Sequence, residues 1–332
     1  MAETVLNVSD LQVQFTTHGG IVSAVRGVSF AVYRGETLAI VGESGCGKSV
    51  TVMSLLGLIP TPPGRIVAGA AQLNGQEILG LSQRALNRIR GAEVGMIFQD
   101  PMSALNPTMK VGEQIAETLK VHRGLGHSEA LRQAVQLLER TKIPEARKRA
   151  RQYPFEFSGG MLQRAVIAMS LACSPSLLIA DEPTTALDVT IQNQVLELMR
   201  DIQREEGMAI ILITHDLGVV ARMADRVVVM YAGQVVESGS VDDVFYRNAH
   251  PYTEGLRNAM PSTTMHADQP LAAIAGSPPD LFAPPTGCAY CPRCPYALQL
   301  CQRQDSDLIA VGDQHLSRCW LQHPEVKQHR AC

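Results

Sequence analysis

Apolar and polar positions alternate from Val5 to Phe15, with Val5, Leu6, Val8, Leu11, Val13 and Phe15 on the apolar side. That period predicts a half-buried strand, and it recurs from Val22 to Val32 after a Gly19-Gly20 turn. Thr37 to Val41 is a short continuous apolar run, predicted to be a buried strand leading into Gly42. Lys48 to Leu58 has helical spacing and is stopped by Pro60 and the Pro62-Pro63-Gly64 break. Val94 to Phe98 predicts another strand, ending at Gln99. From about residue 112 to 151 the period turns helical, through Val111, Ile115, Leu119, Ala134, Leu137 and Leu138. A further helix follows Gly160 and runs through Ala165 to Leu171. Alternation then resumes as strand 177–181, helix 191–205, strand 208–213, helix 216–223 and strand 226–231.

Strands alternating with helices predict an α/β fold with a mostly parallel sheet covered on both faces. The helical stretch reads as an insertion within that core. After Met260 the composition shifts to Pro, Ser, Ala and Cys, which places a boundary near residue 260. At 332 residues, one large domain (1–260) with an appendage (261–332) is expected. The net charge of -3 argues against the basic surface of a nucleic-acid binder, so no nucleic-acid partner is expected. Residues 1–15 lack a basic segment followed by an apolar run, and no secretory signal is expected there. No stretch approaches the roughly 18 apolar residues of a spanning helix, so a soluble chain that meets a membrane only through a partner is expected.

Gly42-Glu43-Ser44-Gly45-Cys46-Gly47-Lys48-Ser49 fits G-x-x-x-x-G-K-S/T between a strand and a helix. Glycines 42, 45 and 47 let backbone N–H groups converge on an anion, and the helix that follows adds its N-terminal dipole. Lys48 is expected on the β and γ phosphates of ATP, with the Ser49 hydroxyl as a Mg²⁺ ligand. Cys46 reads as a small filler or as a reactive thiol near a helix N-terminus. Leu177 to Ala180 are apolar and lead to Asp181 and Glu182, placing both carboxylates at the carboxyl end of a buried strand beside the first loop. Asp181 is expected to orient Mg²⁺ through water. Glu182 is the candidate general base for the attacking water.

Between those two sites lies Phe157-Ser158-Gly159-Gly160-Met161, and Gln99, Ala186-Leu187-Asp188 and His215 follow in a fixed order around them. This set resembles the ATP-binding cassette (ABC) family. The resemblance implies a P-loop nucleotide-binding domain with a mostly parallel core, an antiparallel β subdomain and a helical subdomain at about 100–172. It implies that Gln99 contacts Mg²⁺ and water and senses a permease, and that Ser158, Gly159 and Gly160 grip the γ-phosphate of ATP bound to a facing subunit. It implies that Asp188 contacts that subunit, that His215 holds the γ-phosphate and water, and that Phe15 stacks on adenine. The loop reads F-S-G-G-M where the common form is L-S-G-G-Q, with the phosphate-gripping residues intact.

Ile97 to Met102, Ser103 to Pro107, Ile179 to Thr190 and His250-Pro251-Tyr252-Thr253 further resemble the ATPases of the oligopeptide/dipeptide importer group, which includes nickel importers. The partners this implies are a second, paralogous ATPase subunit, two membrane-spanning permease subunits and, indirectly, a substrate-binding protein. The expected location is the cytoplasmic face of a bacterial inner membrane. A nickel or glutathione importer is the alternative within the group. A soluble ABC ATPase acting on DNA or ribosomes would call for a coiled-coil insertion or tandem cassettes, neither of which the sequence carries. A regulatory module without turnover would not need Glu182 and His215.

Six of the eight cysteines crowd the last fifth: Cys288, Cys291, Cys294, Cys301, Cys319 and Cys332. Disulfides are not expected in a reducing compartment, and ligation of a metal or cluster is. From spacing alone, Cys288, Cys291 and Cys294 with Cys301 or Cys319 could hold zinc or an iron–sulfur cluster. The family resemblance implies a different quartet, Cys288, Cys294, Cys301 and Cys319, around a 4Fe–4S cluster, with Cys291 extra and Cys332 free. Unliganded thiols are the remaining alternative. A segment so poor in apolar residues is expected to need a ligand for order.

Overall fold

The computed structural model describes residues 3–185, 187–260 and 273–326. Ala186 and Cys332 lie outside the described residues, as does 261–272, where the sequence puts the boundary. Elements are numbered along the chain. Two compact units emerge, one of Met1–Leu6, Val32–Thr37 and Gln72–Ile213, the other of Asn7–Ala31, Leu38–Ala71 and Thr214–Cys332.

The second unit contains most of β1 (Thr4–Thr17), β2 (Gly20–Tyr33) and β4 (Gly64–Leu73), which lie in one sheet in the order β2-β1-β4. The strand β4 is missing from the sequence reading, because its Gly- and Ala-rich run carries little β-propensity of its own. A second sheet begins with β3 (Thr37–Val41), every residue of which is buried. It pairs in parallel with β9 (Arg226–Tyr231), Val41 opposite Val229. The helix α1 (Lys48–Leu55) follows the glycine loop, three residues shorter than the spacing predicts. Beyond β9, β10 (Gln234–Ser240) turns back antiparallel. The helices α9 (Leu217–Met223), α10 (Val241–Tyr246) and α11 (Pro251–Asn258) pack around these strands.

The tail does not behave as the sequence leads one to expect. Its strands β11 (Ile309–Gly312) and β12 (His315–Ser317) extend this sheet, with β12 antiparallel to β10. Ala289 and Tyr290 are buried in the cluster formed by Val41, Val229, Tyr231 and Tyr252. The short helix α12 (Gln299–Arg303) carries the buried Cys301. Glu237 of β10, wholly buried, accepts hydrogen bonds from the Ala249 and His250 N–H groups and faces His315 Nε2 of β12 at 2.8 Å. The segment therefore borrows a core from the sheet beside it, and its order does not rest on a ligand alone.

The first unit holds β6 (Val94–Ile97), β7 (Leu177–Asp181) and β8 (Ala209–Ile213), adjacent and parallel, with Ile97 opposite Ala180 and Asp181 opposite Ile213. Continuous burial of β7 and β8 explains their unbroken apolar runs. Smaller elements are β5 (Gln76–Glu77) and α2 (Gln83–Ile89). The predicted helical insertion is present as α3 (Pro101–Ala104), α4 (Val111–Arg123), α5 (His127–Arg140), α6 (Ala146–Arg149) and α7 (Gly159–Ser170). The helix α8 (Val189–Glu206) is capped by Asp188, whose carboxyl accepts the Ile191 N–H, and ends at Gly207 in the left-handed region. Among the described residues no helix is long and apolar enough to cross a membrane.

Candidate functional site

In the second unit, β3 delivers the chain to Gly42 and α1 begins at Lys48. The loop between them curls around one side chain. Lys48 Nζ, buried, donates to the carbonyls of Gly42 at 2.8 Å and Glu43 at 3.0 Å. An ammonium anchored by its own loop is poised at a fixed point, its remaining N–H directed at Cys46 Sγ at 3.8 Å, a weak contact that an anion would replace. Two of the glycines are required by their surroundings. A Cβ on Gly42 (φ +150°) would lie 2.2 Å from the Met230 carbonyl oxygen, and one on Gly47 (φ +99°) 2.5 Å from that of Ala24. Ser44 and Gly45 are exposed at the loop's crest, and Ser49 is half-buried in the first turn of α1. Cys46 is buried, and burial pushes its thiol up despite the nearby Lys48, which favours the space-filling reading. Phe15, half-buried on β1, packs its ring against Gly64, where a Cβ would come within 3.0 Å of it. His215, exposed, precedes Asp216, the N-cap of α9.

In the first unit, the parallel register of β6 and β7 brings their carboxyl ends together. Gln99 Nε2 donates to Glu182 Oε2 at 3.0 Å, and the Thr185 hydroxyl donates to the same oxygen at 2.8 Å. Glu182 has φ +48°, a conformation few non-glycine residues adopt, and its N–H is fixed to the Ile213 carbonyl at 2.9 Å. Asp181, immediately before it, is buried at the strand end. Two adjacent residues thus receive different environments, a buried carboxyl and one held out on a strained backbone.

Also in this unit, Ser158, Gly159, Gly160 and Asp188 line one open groove with Lys142 and Arg164. Ser158 occupies the N-cap position of α7, yet its side chain makes no capping hydrogen bond. A Cβ on Gly159 would meet nothing nearer than Leu187 Cδ2 at 4.0 Å, whereas one on Gly160 would press on Ile191 Cγ2 at 2.8 Å. Two cationic side chains and the amino end of a twelve-residue helix make this groove suited to an anion.

The tail cysteines converge. Cys288, Cys291, Cys294, Cys301 and Cys319 line one small cavity of the second unit with His250, Tyr290 and Trp320. Burial pushes the Cys288 thiol up to about 12 and that of Cys319 to about 11. Among the described residues, however, no three His, Cys, Asp or Glu side chains are disposed around a single ion.

Sequence reasoning gave no role to Arg293 or Tyr252. The Glu43 N–H donates to the Tyr252 hydroxyl at 2.8 Å, and the Glu43 carboxyl is held by Arg293 at 2.7 and 2.9 Å. The signal was present as an arginine set between two cysteines, but the partner 250 residues away was not.

The ABC transporter family model matches residues 25–185, and the oligopeptide/dipeptide transporter C-terminal region matches residues 236–301. The chain is 54% identical to an oligopeptide transport ATP-binding protein of Bacillus subtilis, over 97% of this chain and 90% of that one. It is 51% identical to a dipeptide transport ATP-binding protein of the same organism, over 96% and 95%. An oligopeptide transport ATP-binding protein of Salmonella typhimurium is 53% identical, over 90% and 89%. Among solved structures, a dimeric ATP-binding cassette in a post-hydrolysis state with ADP and phosphate is 25% identical at a TM-score of 0.64, covering 71% of this chain and 98% of that one. A Clostridium perfringens cassette from a CbiONQ ABC transporter complex is 28% identical at 0.63, covering 74% and 92%.

Proposed function

This chain belongs to the ABC transporter family, among the oligopeptide and dipeptide transport ATP-binding proteins, and on that premise we infer that it is the ATP-hydrolysing subunit of a peptide importer. The observation that carries the hydrolytic part is Glu182, a carboxyl presented at the end of β7 by Gln99 and Thr185. We assign it as general base, with Gln99 and Asp181 serving Mg²⁺ together with Ser49, and with His215 holding the γ-phosphate. The phosphate loop from Gly42 to Ser49 binds the triphosphate, with Ser44 and Cys46 contributing backbone, and Phe15 meets adenine. Glu43, whose N–H is given to the Tyr252 hydroxyl, acts through its carbonyl on Lys48. The groove of Ser158, Gly159, Gly160 and Asp188 serves the ATP of a facing subunit, which its cationic lining supports.

Closure of two such subunits on ATP would then drive two permease subunits between inward- and outward-facing states, from the cytoplasmic face of the inner membrane. Peptide cargo is favoured over nickel or glutathione because the relatives are oligopeptide and dipeptide transport proteins. Replacing Glu182 by Gln keeps a hydrogen-bonding partner for Gln99 and removes the base. Steady-state hydrolysis by the assembled transporter should fall by about 10²–10⁴-fold with MgATP binding retained. Near-normal turnover would remove Glu182 from that role.

The tail fits a thiolate-bound group, since five soft donors line one cavity. We propose a 4Fe–4S cluster held by Cys288, Cys294, Cys301 and Cys319, with zinc, bound by thiolates at about 2.3 Å, as the alternative ligand. When bound, it would cross-link the tail.

A further inference from the structure

Arg293 is a feature of the tail that none of these roles uses. It stands in the turn between Cys291 and Cys294, its side chain 4% exposed, and all five of its N–H groups are spoken for. Nη1 donates to Glu43 Oε2 at 2.7 Å and to the Tyr231 hydroxyl at 3.3 Å. Nη2 donates to Glu43 Oε1 at 2.9 Å and to the Ile274 carbonyl at 3.2 Å, and Nε donates to the Ala275 carbonyl at 2.9 Å. The bidentate pairing raises the affinity of Arg293 for its proton, Glu43 being the leading cause. Glu43 is not a bystander. Its carbonyl and that of Gly42 are the two anchors of Lys48 Nζ, and its N–H is bound by Tyr252.

A continuous set of short contacts thus runs from the cysteine turn through Arg293 and Glu43 to the lysine of the phosphate loop. The turn itself is closed by hydrogen bonds from Cys291 N–H to the Cys288 carbonyl and from Cys294 N–H to the Cys291 carbonyl. Displacing that turn moves Arg293. The alternative to following it is to strand a buried charge, which is among the costlier changes a protein can undergo.

We propose that the cysteine turn clamps the phosphate loop through Arg293, so that nucleotide occupancy and the accessibility of the turn's thiols are linked. Arg293 is a positioning residue here, acting on phosphate through Glu43. Linkage is reciprocal: if an ordered turn favours MgATP, then MgATP must favour an ordered turn by the same factor. The proposal does not depend on whether the thiols carry a ligand.

The test is the rate at which iodoacetamide labels Cys291, the turn thiol outside the proposed ligand set, in the full chain, resolved by mass spectrometry with and without MgATP. Cys173, on the other compact unit, is the internal reference. Saturating MgATP should slow labelling of Cys291 by about fivefold or more, within the usual range for coupled sites. In Glu43→Gln, which keeps the size of the side chain and removes its charge, that protection should shrink towards nothing, and Arg293→Lys should restore part of what Arg293→Ala loses. Calorimetric binding of MgATP is measured on the same samples. A parent that binds MgATP with no change in labelling overturns the link alone, as does full protection persisting in Glu43→Gln. A parent that fails to bind MgATP overturns the nucleotide reading as well.

Discussion

Gly47→Ala isolates the geometry of the phosphate loop. Gly47 has φ +99°, and a Cβ there would stand 2.5 Å from the Ala24 carbonyl oxygen, a backbone atom that cannot rotate away. The left-handed conformation alone costs an alanine about 1–2 kcal/mol. Relief of the overlap requires the first turn of α1 to shift, and with it the N–H groups that should converge on phosphate. Losing one hydrogen bond to a charged group is worth about 1.5–3 kcal/mol, or roughly 10–100-fold in Kd. Gly45→Ala is the matched control: its φ is +79°, but nothing lies within 4 Å of a Cβ there, so it carries the conformational cost without the overlap. Titration calorimetry with MgATP should show Gly47→Ala weaker than Gly45→Ala by about tenfold or more, both variants being folded by circular dichroism. Equal affinities for the two variants, or parental affinity in Gly47→Ala, would refute the steric argument.

The open face of Gly159 accepts a side chain, so Gly159→Asp should leave the melting temperature within what a surface change of about 0.5 kcal/mol produces. In the assembled transporter it should still cut ATP hydrolysis by about tenfold or more, because a carboxylate would face the phosphate. In Glu237→Gln an NH₂ replaces one of the two carboxyl oxygens, so either the Ala249 or the His250 N–H meets a donor in a fully buried setting. Unfolding in denaturant should show a loss of about 1–3 kcal/mol, and no loss would mean the tail is not docked through this carboxyl. In anaerobic preparations, iron content and the visible spectrum should survive Cys291→Ser and collapse in Cys294→Ser; a colourless, iron-free parent would count against the cluster.

Much of the fold was legible because burial is written in period. The unbroken apolar runs at 37–41, 177–181 and 226–231 became strands within a residue of their predicted ends. Helices in the insertion followed from their apolar spacing. β4 was not legible, since alanines and glycines signal neither period. Nor was the docking of β12 on β10, a pairing across about eighty residues that depends on a carboxyl, Glu237, with no apolar signature.

At the site, motif spacing gave Lys48, Glu182 and the Ser158–Gly160 loop. It could not show that Gln99 and Thr185 share one carboxyl oxygen of Glu182, because that depends on the β6–β7 register. It also could not reveal Arg293, whose importance lies in what it touches.

The most direct test of the account is peptide accumulation in proteoliposomes containing this chain and the partners proposed for it, a paralogous ATPase subunit and two permease subunits. ATP is enclosed with the subunits, and the binding protein and a labelled oligopeptide are supplied outside. Accumulation that requires enclosed ATP, and that is abolished by Glu182→Gln here, is the predicted result. Undiminished accumulation with the variant, or ATP hydrolysis that never moves peptide, would contradict it.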